Sequence, residues 1–402
     1  MNLEAMKRKY AYTLARVGLN VQPGQPVLVE AAIEGADFTP IFAEECYKLG
    51  ASNVIVHYLD EPNMKIAAKY RSDADVRKVE DWEEIQCQKY LDQGACYVRL
   101  EGVNPKLMED VPEAQANAIF AHTDAVRNIM RKASREKHCQ WLIAMIPTQQ
   151  WAEYILKDVP KENALEELWK LILKLCYIDE ENDVVATWEE KSRRTRERGT
   201  KMDSYNFTKL HYTASNGTDF TVTLTPYSKF GGGGGPARTV KFHANIPSEE
   251  ICTAPEKYGA EGVIYASRPL VLGGKSIENF GFRFEKGKVV EVIANEGKEM
   301  LEALVNMDEG ASYLGEVALV EYSSPISQSN VVYYTTLIDE NASCHLALGR
   351  ALGRPLPEDD PWTFNDSMIH IDFMVGTPDM HIVGTTADGQ EVVVFENGDF
   401  AF

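Results

Sequence analysis

Hydrophobic and polar positions in the first half of the chain follow two alternating patterns. The apolar runs VLVEAA (27–32) and NVIVHY (53–58) predict buried strands, and DFTPIFAEECYKLG (37–50) between them predicts a helix. This order favours a parallel sheet with right-handed crossovers. Two later runs also predict strands: ACYVRL (95–100) and WLIAMIP (141–147). Residues 1–190 are therefore predicted to form an α/β N-terminal domain with a mainly parallel sheet.

The second half of the chain has the pattern of a different fold class. KLHYTAS (209–215) and DFTVTL (219–224) flank Asn216-Gly217, which is a strong hairpin signal. β-rich segments continue to the C-terminus, so residues 191–402 are predicted to form an α+β domain. Helices are expected in that domain near 250–261, 297–306 and 342–351, and the polar helical segment 188–199 is expected to connect the two domains.

Composition narrows the class of protein. A chain of 402 residues, 44% hydrophobic and 25% charged, is long enough for two domains, since single cores stop growing at roughly 250–300 residues. The net charge of −20 argues against a nucleic-acid or anionic-membrane partner. No stretch approaches the ~18–20 apolar residues of a membrane span, and the N-terminus lacks the apolar region of a signal peptide. Seven scattered cysteines without a CxxC pair predict reduced thiols in the cytoplasm.

The glycine-rich run GGGGGPARTV (231–240) resembles a phosphate-binding loop only in composition. No Lys-Ser/Thr pair follows it and no helix pattern opens after it. We interpret it as a flexible loop, so no nucleotide cofactor is expected.

The segment SMIHIDFMVG (367–376) gives the clearest indication of a metal-binding site. Residues two apart on a strand share a face, so His370 and Asp372 point together. An imidazole and a carboxylate side by side can bind one divalent metal ion together. A structural His–Asp pair is the alternative.

Two glutamates lie in mostly apolar surroundings. Glu250, in NIPSEEICTAP (245–255), follows Ser248, which we interpret as the N-cap of a helix. Glu316, in YLGEVALV (313–320), is costly to bury unless it is paired or metal-bound. The alternatives are a plain helix cap for the first and a solvent-facing position on an edge strand for the second.

The segment TLIDENASCHLALG (336–349) combines capping residues with possible ligands. Asp339 or Asn341 is expected to cap a helix beginning near Ala342. Glu340 would then lie in the loop before the helix and His345 on its first turn, so the segment is interpreted as both a cap and part of a metal site.

Together these segments supply four carboxylates and two imidazoles, which are Glu250, Glu316, Glu340, His345, His370 and Asp372. Mixed carboxylate and imidazole ligands suit Zn²⁺, Co²⁺ or Mn²⁺, and six are enough for two ions. Two ions sharing a carboxylate and a water are the apparatus of hydrolytic aminopeptidases.

At these residues the sequence resembles the thermophilic metalloaminopeptidase family. The resemblance runs through VGLNVQPGQPVLV, HANIPSEEICTAPEKYGAEG, SIENFGF, YLGEVALV, TLIDENASCHLALG and IHIDFMVG in one order. It implies a peptide substrate, a homodimer, and two divalent ions per chain, Zn²⁺ or Co²⁺ first with Mn²⁺ or Mg²⁺ as alternatives. It also implies that the six residues named above are the metal ligands. Glu316 and Glu250 are expected to be catalytic as well: Glu316 bridges the ions, and a carboxylate among Glu250, Glu316 and Glu340 takes the proton of the attacking water.

Leu352 is a departure from the family pattern. The resemblance leads us to expect a tyrosine there, and leucine cannot donate a hydrogen bond to a developing oxyanion. Two rival functions follow. One is a metal-binding homologue with weak or lost peptidase activity. The other is a mononuclear iron ring-cleaving dioxygenase, with iron on His345, His370 and Asp372.

Overall fold

The computed structural model describes residues 2–402 except residues 103, 105, 137, 233–235, 238, 273, 274, 352–355 and 358. The glycine-rich run is thus described only in part, and Leu352 lies outside the described residues. The chain divides into two compact units, Met1–Glu190 with Gly234–Pro247 and Lys191–Gly233 with Ser248–Phe402. The first unit is therefore discontinuous, whereas the sequence predicted a single boundary after residue 190.

Helices and strands alternate early and strands dominate later. The helices among the described residues are α1 Leu3–Thr13, α2 Thr39–Lys48, α3 Glu61–Tyr70, α4 Asp73–Arg77, α5 Asp81–Asp92, α6 Glu113–Arg135, α7 Gln149–Ile155, α8 Lys161–Leu175, α9 Val184–Tyr205, α10 Lys298–Val305, α11 Pro325–Gln328 and α12 Thr336–Asp339. The strands are β1 Pro26–Ala32, β2 Asn53–Leu59, β3 Cys96–Glu101, β4 Trp141–Met145, β5 Phe207–Thr213, β6 Asp219–Thr223, β7 Pro236–Ala237, β8 Val240–Lys241, β9 Asn245–Ile246, β10 Ile251–Thr253, β11 Ala260–Tyr265, β12 Leu270–Leu272, β13 Lys275–Ile277, β14 Phe280–Glu285, β15 Lys288–Ala294, β16 Leu314–Leu319, β17 His345–Gly349, β18 His370–Met374, β19 His381–Thr386, β20 Glu391–Glu396 and β21 Asp399–Phe400. Within these described residues, no helix has both the length and the apolar character needed to cross a membrane.

The first unit is built on a parallel sheet, as predicted. Its strand order is β2-β1-β3-β4-β9, and each neighbouring pair is parallel. The four predicted strands all lie in this sheet. An aromatic cluster of Tyr10, Phe38 and Trp169 packs in the core, with ring centroids 5.4–6.3 Å apart. The hydroxyl of Tyr10 donates to the carbonyl of Met145 at 3.0 Å, which ties α1 to the end of β4.

Among the described residues, the second unit contains two large antiparallel sheets and the two-stranded antiparallel sheet β12–β13. The eight-stranded sheet has the order β15-β14-β11-β6-β5-β19-β20-β21, and the predicted hairpin around Asn216-Gly217 is confirmed as β5–β6. Gly217 has a φ of 96°, a conformation that favours glycine. The four-stranded sheet has the order β10-β16-β17-β18. Its apolar side chains belong to the core of the unit, where the ring of Phe373 lies 5.1 Å from that of Phe282.

Two predicted helices are strands in the structure, while the predicted helix near 297–306 is confirmed as α10. The segment 250–261 contains β10 and the start of β11, and the segment 342–351 contains β17. Ser248 therefore does not cap a helix, and His345 begins a strand. The sequence HLALG of β17 has residues that form helices well, but pairing with β16 on one side and β18 on the other prevails over that local preference.

A β-bulge at Gly315 determines where Glu316 points. Leu314 pairs with Leu348 and Glu316 with Ala347, so one extra residue lies on β16. Leu314 consequently packs in the core with Leu348, whereas Glu316 joins the opposite face with Ala347. A Cβ at Gly315 would overlap the backbone carbonyl oxygens of Gly349 and the next residue, so the bulge requires glycine there.

We expect Gly315→Ala to lower the free energy of unfolding by about 1–3 kcal/mol, because the added methyl must displace backbone atoms of the neighbouring strand. Gly231→Ala is the matched control, since a Cβ there meets nothing within 4 Å. Urea unfolding monitored by circular dichroism measures both. Equal midpoints for the two variants would contradict the steric role of Gly315.

Candidate metal centre

One face of the four-stranded sheet carries four of the six predicted ligands, and a fifth lies immediately before its first strand, β10. Residues opposite each other in antiparallel strands share a face, as do residues two apart on one strand. The register pairs Glu316 with Ala347 and Ala347 with Asp372, and it pairs Ala318 with His345. We call this surface the ligand face, and its members are Cys252, Glu316, Ala318, His345, Ala347, Gly349, His370, Asp372 and Met374. Glu250 lies immediately before β10, two residues from Cys252.

Two groups of three side chains converge, and Glu316 belongs to both. In the first, donor atoms of Glu250, Glu316 and His345 all lie within 4.8 Å of one another. In the second, the same holds for Glu316, His370 and Asp372. His345 Nε2 is 3.1 Å from Glu250 Oε2 and 3.7 Å from Glu316 Oε1, and His370 Nε2 is 3.5 Å from Glu316 Oε2. The two carboxylate oxygens of Glu316 therefore face different histidines.

Strand β16 is an interior strand, so the edge-strand alternative for Glu316 is wrong. It lies between β10 and β17, and Glu316 is only 4% exposed. His370 and Asp372 lie on one face of β18, as predicted, with His370 Nε2 3.5 Å from Asp372 Oδ1. Their contact with Glu316 extends this pair into a larger cluster.

Glu340 lies near the cluster but in neither group of three. It starts a short 3₁₀ turn, Glu340–Ala342, that follows α12. Burial raises the pKa of Glu340 well above its ordinary value, and the charges of Asp372 and Glu250 add to that rise. The interaction with these carboxylates places Glu340 within electrostatic reach of the centre.

The sequence predicted that Asp339 or Asn341 caps a helix beginning near Ala342. That prediction is wrong, because a strand, β17, follows instead. Asp339 accepts hydrogen bonds from the backbone N–H groups of Tyr333 and Thr335 at 2.8 and 3.1 Å, so it fixes the turn that leads into α12. Asn341 accepts from the backbone N–H of Glu249 at 2.6 Å. Local sequence cannot distinguish these partners from an ordinary cap, because Glu249 is 92 residues away along the chain.

Asn341 links the segments that carry Glu250 and Glu340. Its side-chain amide also donates to the carbonyl of Leu337 at 3.0 Å, and the residue is fully buried. Lys191 holds the same segment from α9, since its ammonium group lies 2.9 and 3.0 Å from the two carboxylate oxygens of Glu249. No sequence pattern indicates this network, because neither Lys191 nor Glu249 differs in its surroundings from the other charged residues.

Backbone carbonyls orient both histidines. Nδ1 of His370 lies 2.7 Å from the carbonyl oxygen of Arg350, and Nδ1 of His345 lies 3.3 Å from that of Ser343. With Nδ1 donating to the carbonyl, Nε2 of each histidine faces the carboxylates, and in the neutral imidazole its lone pair would be available to a metal ion. Metal-binding histidines are commonly oriented by such contacts.

Burial and charge act in opposite directions on these groups. Burial disfavours the charged form of His370, but its hydrogen bond with Asp372 and the charges of Asp372 and Glu316 outweigh burial and raise its pKa to about 9. The pKa of His345 is likewise raised well above its ordinary value, because carboxylate contacts outweigh burial. Burial raises the pKa of Glu316, and contact with His345 only partly offsets it. In the metal-free chain, protons on the histidines thus compensate the carboxylates.

The donor set fits two divalent ions. Among the described residues, His345 Nε2 and Glu250 Oε2 are buried and have no hydrogen-bond partner, although they face each other. Four carboxylates with two neutral imidazoles would balance the charge of two divalent ions. Between the ligands, Ala318, Ala347 and Gly349 occupy the same face, so short side chains leave room above the sheet.

Cys252 is a member of the ligand face that no sequence motif indicates. Burial raises the pKa of its thiol well above the ordinary value, and the charges of Glu316 and Glu250 raise it further. On a strand, Cys252 would share a face with Glu250, two residues earlier. The sequence predicted a helix there, on which residues two apart do not share a face.

Comparison with known proteins gives matches along nearly the whole chain. A sequence model of the family described as "Thermophilic metalloprotease (M29)" matches residues 4–400. Aminopeptidase AmpS of Bacillus subtilis is 35% identical over 402 residues, covering 98% of each chain. Aminopeptidase T of Thermus thermophilus is 34% identical, covering 98% of this chain and 99% of its own.

Solved structures agree with these matches. Wild-type AmpT from Thermus thermophilus superposes with a TM-score of 0.92 at 32% identity, covering 99% of this chain and 100% of its own. The predicted fold class, an α/β domain with a parallel sheet followed by an α+β domain, is thereby confirmed. A 2,5-dihydroxypyridine dioxygenase from Pseudomonas putida has a TM-score of 0.55 at 14% identity, covering 99% and 96%. That likeness shows a shared fold alone.

We expect the metal-free protein to lose stability as pH rises from about 6.5 to about 9. Folded His370 keeps its proton up to about pH 9, whereas an unfolded histidine releases it near 6.5. The folded state therefore binds more protons in this window, and the free energy of unfolding falls with pH. Urea unfolding in EDTA at both ends of the window measures the fall, and His370→Gln should reduce it. His138→Gln, at an exposed histidine, is the control. An unchanged fall in the His370→Gln variant would contradict this assignment.

Proposed function

The chain belongs to the thermophilic metalloprotease family M29, and on that premise we propose that it is an aminopeptidase that releases N-terminal residues from peptides with two divalent metal ions. The observation that carries the two-ion part is the position of Glu316, whose carboxylate is common to both groups of three donors. A carboxylate shared by two ligand groups is the arrangement expected of a bridging ligand.

The first ion would be held by Glu250, Glu316 and His345, and the second by Glu316, His370 and Asp372. Zn²⁺ or Co²⁺ is the first choice for such a mixed oxygen and nitrogen set, and Mn²⁺ or Mg²⁺ is the alternative. When bound, a pair of ions supplies an acidified water and polarises the scissile carbonyl. The carbonyls of Ser343 and Arg350 would keep Nε2 of each histidine pointed at the ions.

Glu340 has a separate role in this proposal. The family resemblance implies that Glu340 is a metal ligand, but both groups of three are complete without it. We propose that the carboxylate of Glu340 takes the proton of the attacking water, because its pKa is raised by burial and by the charges of Asp372 and Glu250. Glu250 and Glu316, the residues first expected to be catalytic, would act as ligands, with Glu316 as the bridge.

The donor set argues against the dioxygenase alternative. One iron needs two histidines and one carboxylate, which His345, His370 and Asp372 would supply. That arrangement leaves the buried carboxylate of Glu316 and the partly buried carboxylates of Glu250 and Glu340 without a balancing charge, which is unfavourable. Metal analysis of the purified protein distinguishes one iron per chain from two ions of the zinc or cobalt type.

We further propose a homodimer, as the family resemblance implies, and a cytoplasmic location, which the scattered cysteines without a CxxC pair favour. Analytical ultracentrifugation of the metal-loaded protein tests the dimer. Cell fractionation tests the compartment.

Protein stripped of metal and reloaded with Zn²⁺ or Co²⁺ is expected to bind about two ions per chain and to cleave aminoacyl substrates. Glu316→Gln should lose both ions and fall below about 1% of wild-type activity, because loss of even an outer-shell partner costs 10–100-fold. Glu299→Gln, on the exposed surface of α10, is the matched control. Isothermal titration and a broad panel of aminoacyl substrates provide the measurements.

Loaded wild-type protein that cleaves none of these substrates would overturn the proposed function. If Leu352→Tyr then restores cleavage, the chain is a metal-binding homologue that has lost its turnover.

The Glu340→Gln variant tests whether Glu340 is a proton acceptor or a metal ligand. If Glu340 takes the proton, the variant should still bind about two ions while kcat falls roughly 100-fold or more, within the range of general-base catalysis. Glu250→Gln is the comparison, and it should lose one ion together with activity. Loss of an ion from Glu340→Gln would return this residue to the ligand set.

A further inference from the structure

The glycine-rich run GGGGG (231–235) begins along the edge of β10 that lies opposite β16. Strand β10 pairs with β16 on one side, and Gly231 forms a bridge to Cys252 on the other. The N–H of Gly231 donates to the carbonyl of Cys252 at 3.0 Å, and the N–H of Cys252 donates to the carbonyl of Gly231 at 2.7 Å. These two bonds use backbone atoms alone, so they fix the start of the run beside the strand that follows Glu250.

Gly232, the next residue, leaves no room for a side chain. A Cβ there would overlap the carbonyl oxygen of Glu250 and would lie 3.0 Å from the methyl group of Thr195 on α9. The carbonyl oxygen is a backbone atom, so it cannot rotate away as the end of a long side chain could. At Gly231, by contrast, a Cβ would meet none of the described atoms within 4 Å. Neither glycine has a positive φ, so the two positions differ in the space around them and not in backbone conformation.

The peptide group beside Gly232 belongs to a residue of the first group of three. Glu250 shares that group with Glu316 and His345, and its Oε2 lies 3.1 Å from His345 Nε2, whereas the second group does not include it. Glu250 precedes β10, so the pairing with β16 begins only after it. Metal–ligand distances hold to within about 0.2 Å, so a displaced Glu250 backbone would weaken the ion of the first group selectively.

We propose that Gly232 is a positioning residue for Glu250. The absence of a side chain lets the glycine-rich run pack directly on the Glu250 peptide group, which holds the Glu250 carboxylate beside Glu316 and His345. This inference rests on the proposed two-metal function and adds a support for the ion that Glu250 would bind. It also gives the start of the glycine-rich run a role other than phosphate binding.

Calorimetric titration of metal-free protein with Zn²⁺ tests the proposal, using Gly232→Ala with Gly231→Ala as the matched control. Gly232→Ala should weaken one of the two ions by roughly 10–100-fold, the usual cost of losing an outer-shell partner, and leave the other at wild-type affinity. Gly231→Ala should bind both ions as wild-type protein does, because its backbone bonds are retained and its Cβ has space. Both variants exchange glycine for alanine, so the entropy change of the unfolded chain is the same in each and cancels.

A double-mutant cycle with Glu250→Gln shows whether Gly232 acts through Glu250. If it does, Gly232→Ala should have little further effect on zinc binding in protein that already carries Glu250→Gln, because the ligand that it displaces is gone. A general structural role would lower the affinity of the remaining ion as well, and that result would overturn the proposal.

Far-UV circular dichroism and the affinity of the second ion report whether Gly232→Ala is folded. A variant that loses both ions, or its secondary structure, would show that Gly232 supports the unit as a whole and would overturn the specific role. Wild-type protein that binds two ions, together with a Gly232→Ala variant of equal affinity for both, would overturn the role of Gly232 alone. Wild-type protein that binds no pair of ions would overturn the two-metal proposal and this inference with it.

Discussion

Alternation of side chains across the four-stranded sheet is the constraint on which the centre depends. Val317, Leu346 and Phe373 each follow a residue of the ligand face, and all three pack in the hydrophobic core of the second unit. A shift of one residue in strand pairing would exchange the two faces. It would move Glu316 and His345 into the core and expose the apolar side chains. The same register therefore specifies the core and the metal ligands, and the burial of the apolar face stabilises both.

The concentration of buried carboxylates imposes a second requirement on the fold. Charges removed from water are unfavourable unless they are compensated. In the metal-free chain the compensation comes from protons, which explains why the pKa values of His345, His370, Glu316 and Glu340 are all raised. Divalent ions would replace those protons, so metal binding and proton release are coupled at this site. Protonation or metal binding at this site consequently changes the stability of the folded unit as well as its reactivity.

Much of this arrangement was readable from the sequence, and the exceptions share a cause. Apolar runs predicted the parallel sheet, Asn216-Gly217 predicted the hairpin, and a period of two placed His370 and Asp372 on one face. The segments around Glu250 and His345 were instead predicted as helices, because acidic residues after a serine and an LAL run favour helices locally. Pairing with β16 prevails in both places, and that partner is distant along the chain. The bulge at Gly315 is likewise defined by β17, so no local pattern indicates it.

The segment Asp339-Glu340-Asn341 shows how three adjacent polar residues are given three different partners. A 3₁₀ turn has about three residues per turn, so consecutive side chains project roughly 120° apart. Asp339, at the end of α12, accepts from the turn before that helix, and Asn341 accepts from the backbone of Glu249. Glu340 accepts from the side-chain amide of Asn341 at 3.4 Å and also interacts with the carboxylates of the centre. Because Asn341 ties this turn to the residue before Glu250, a displacement of either segment would displace the other. The positions of Glu250 and Glu340 are therefore set jointly, although 90 residues separate them in the sequence.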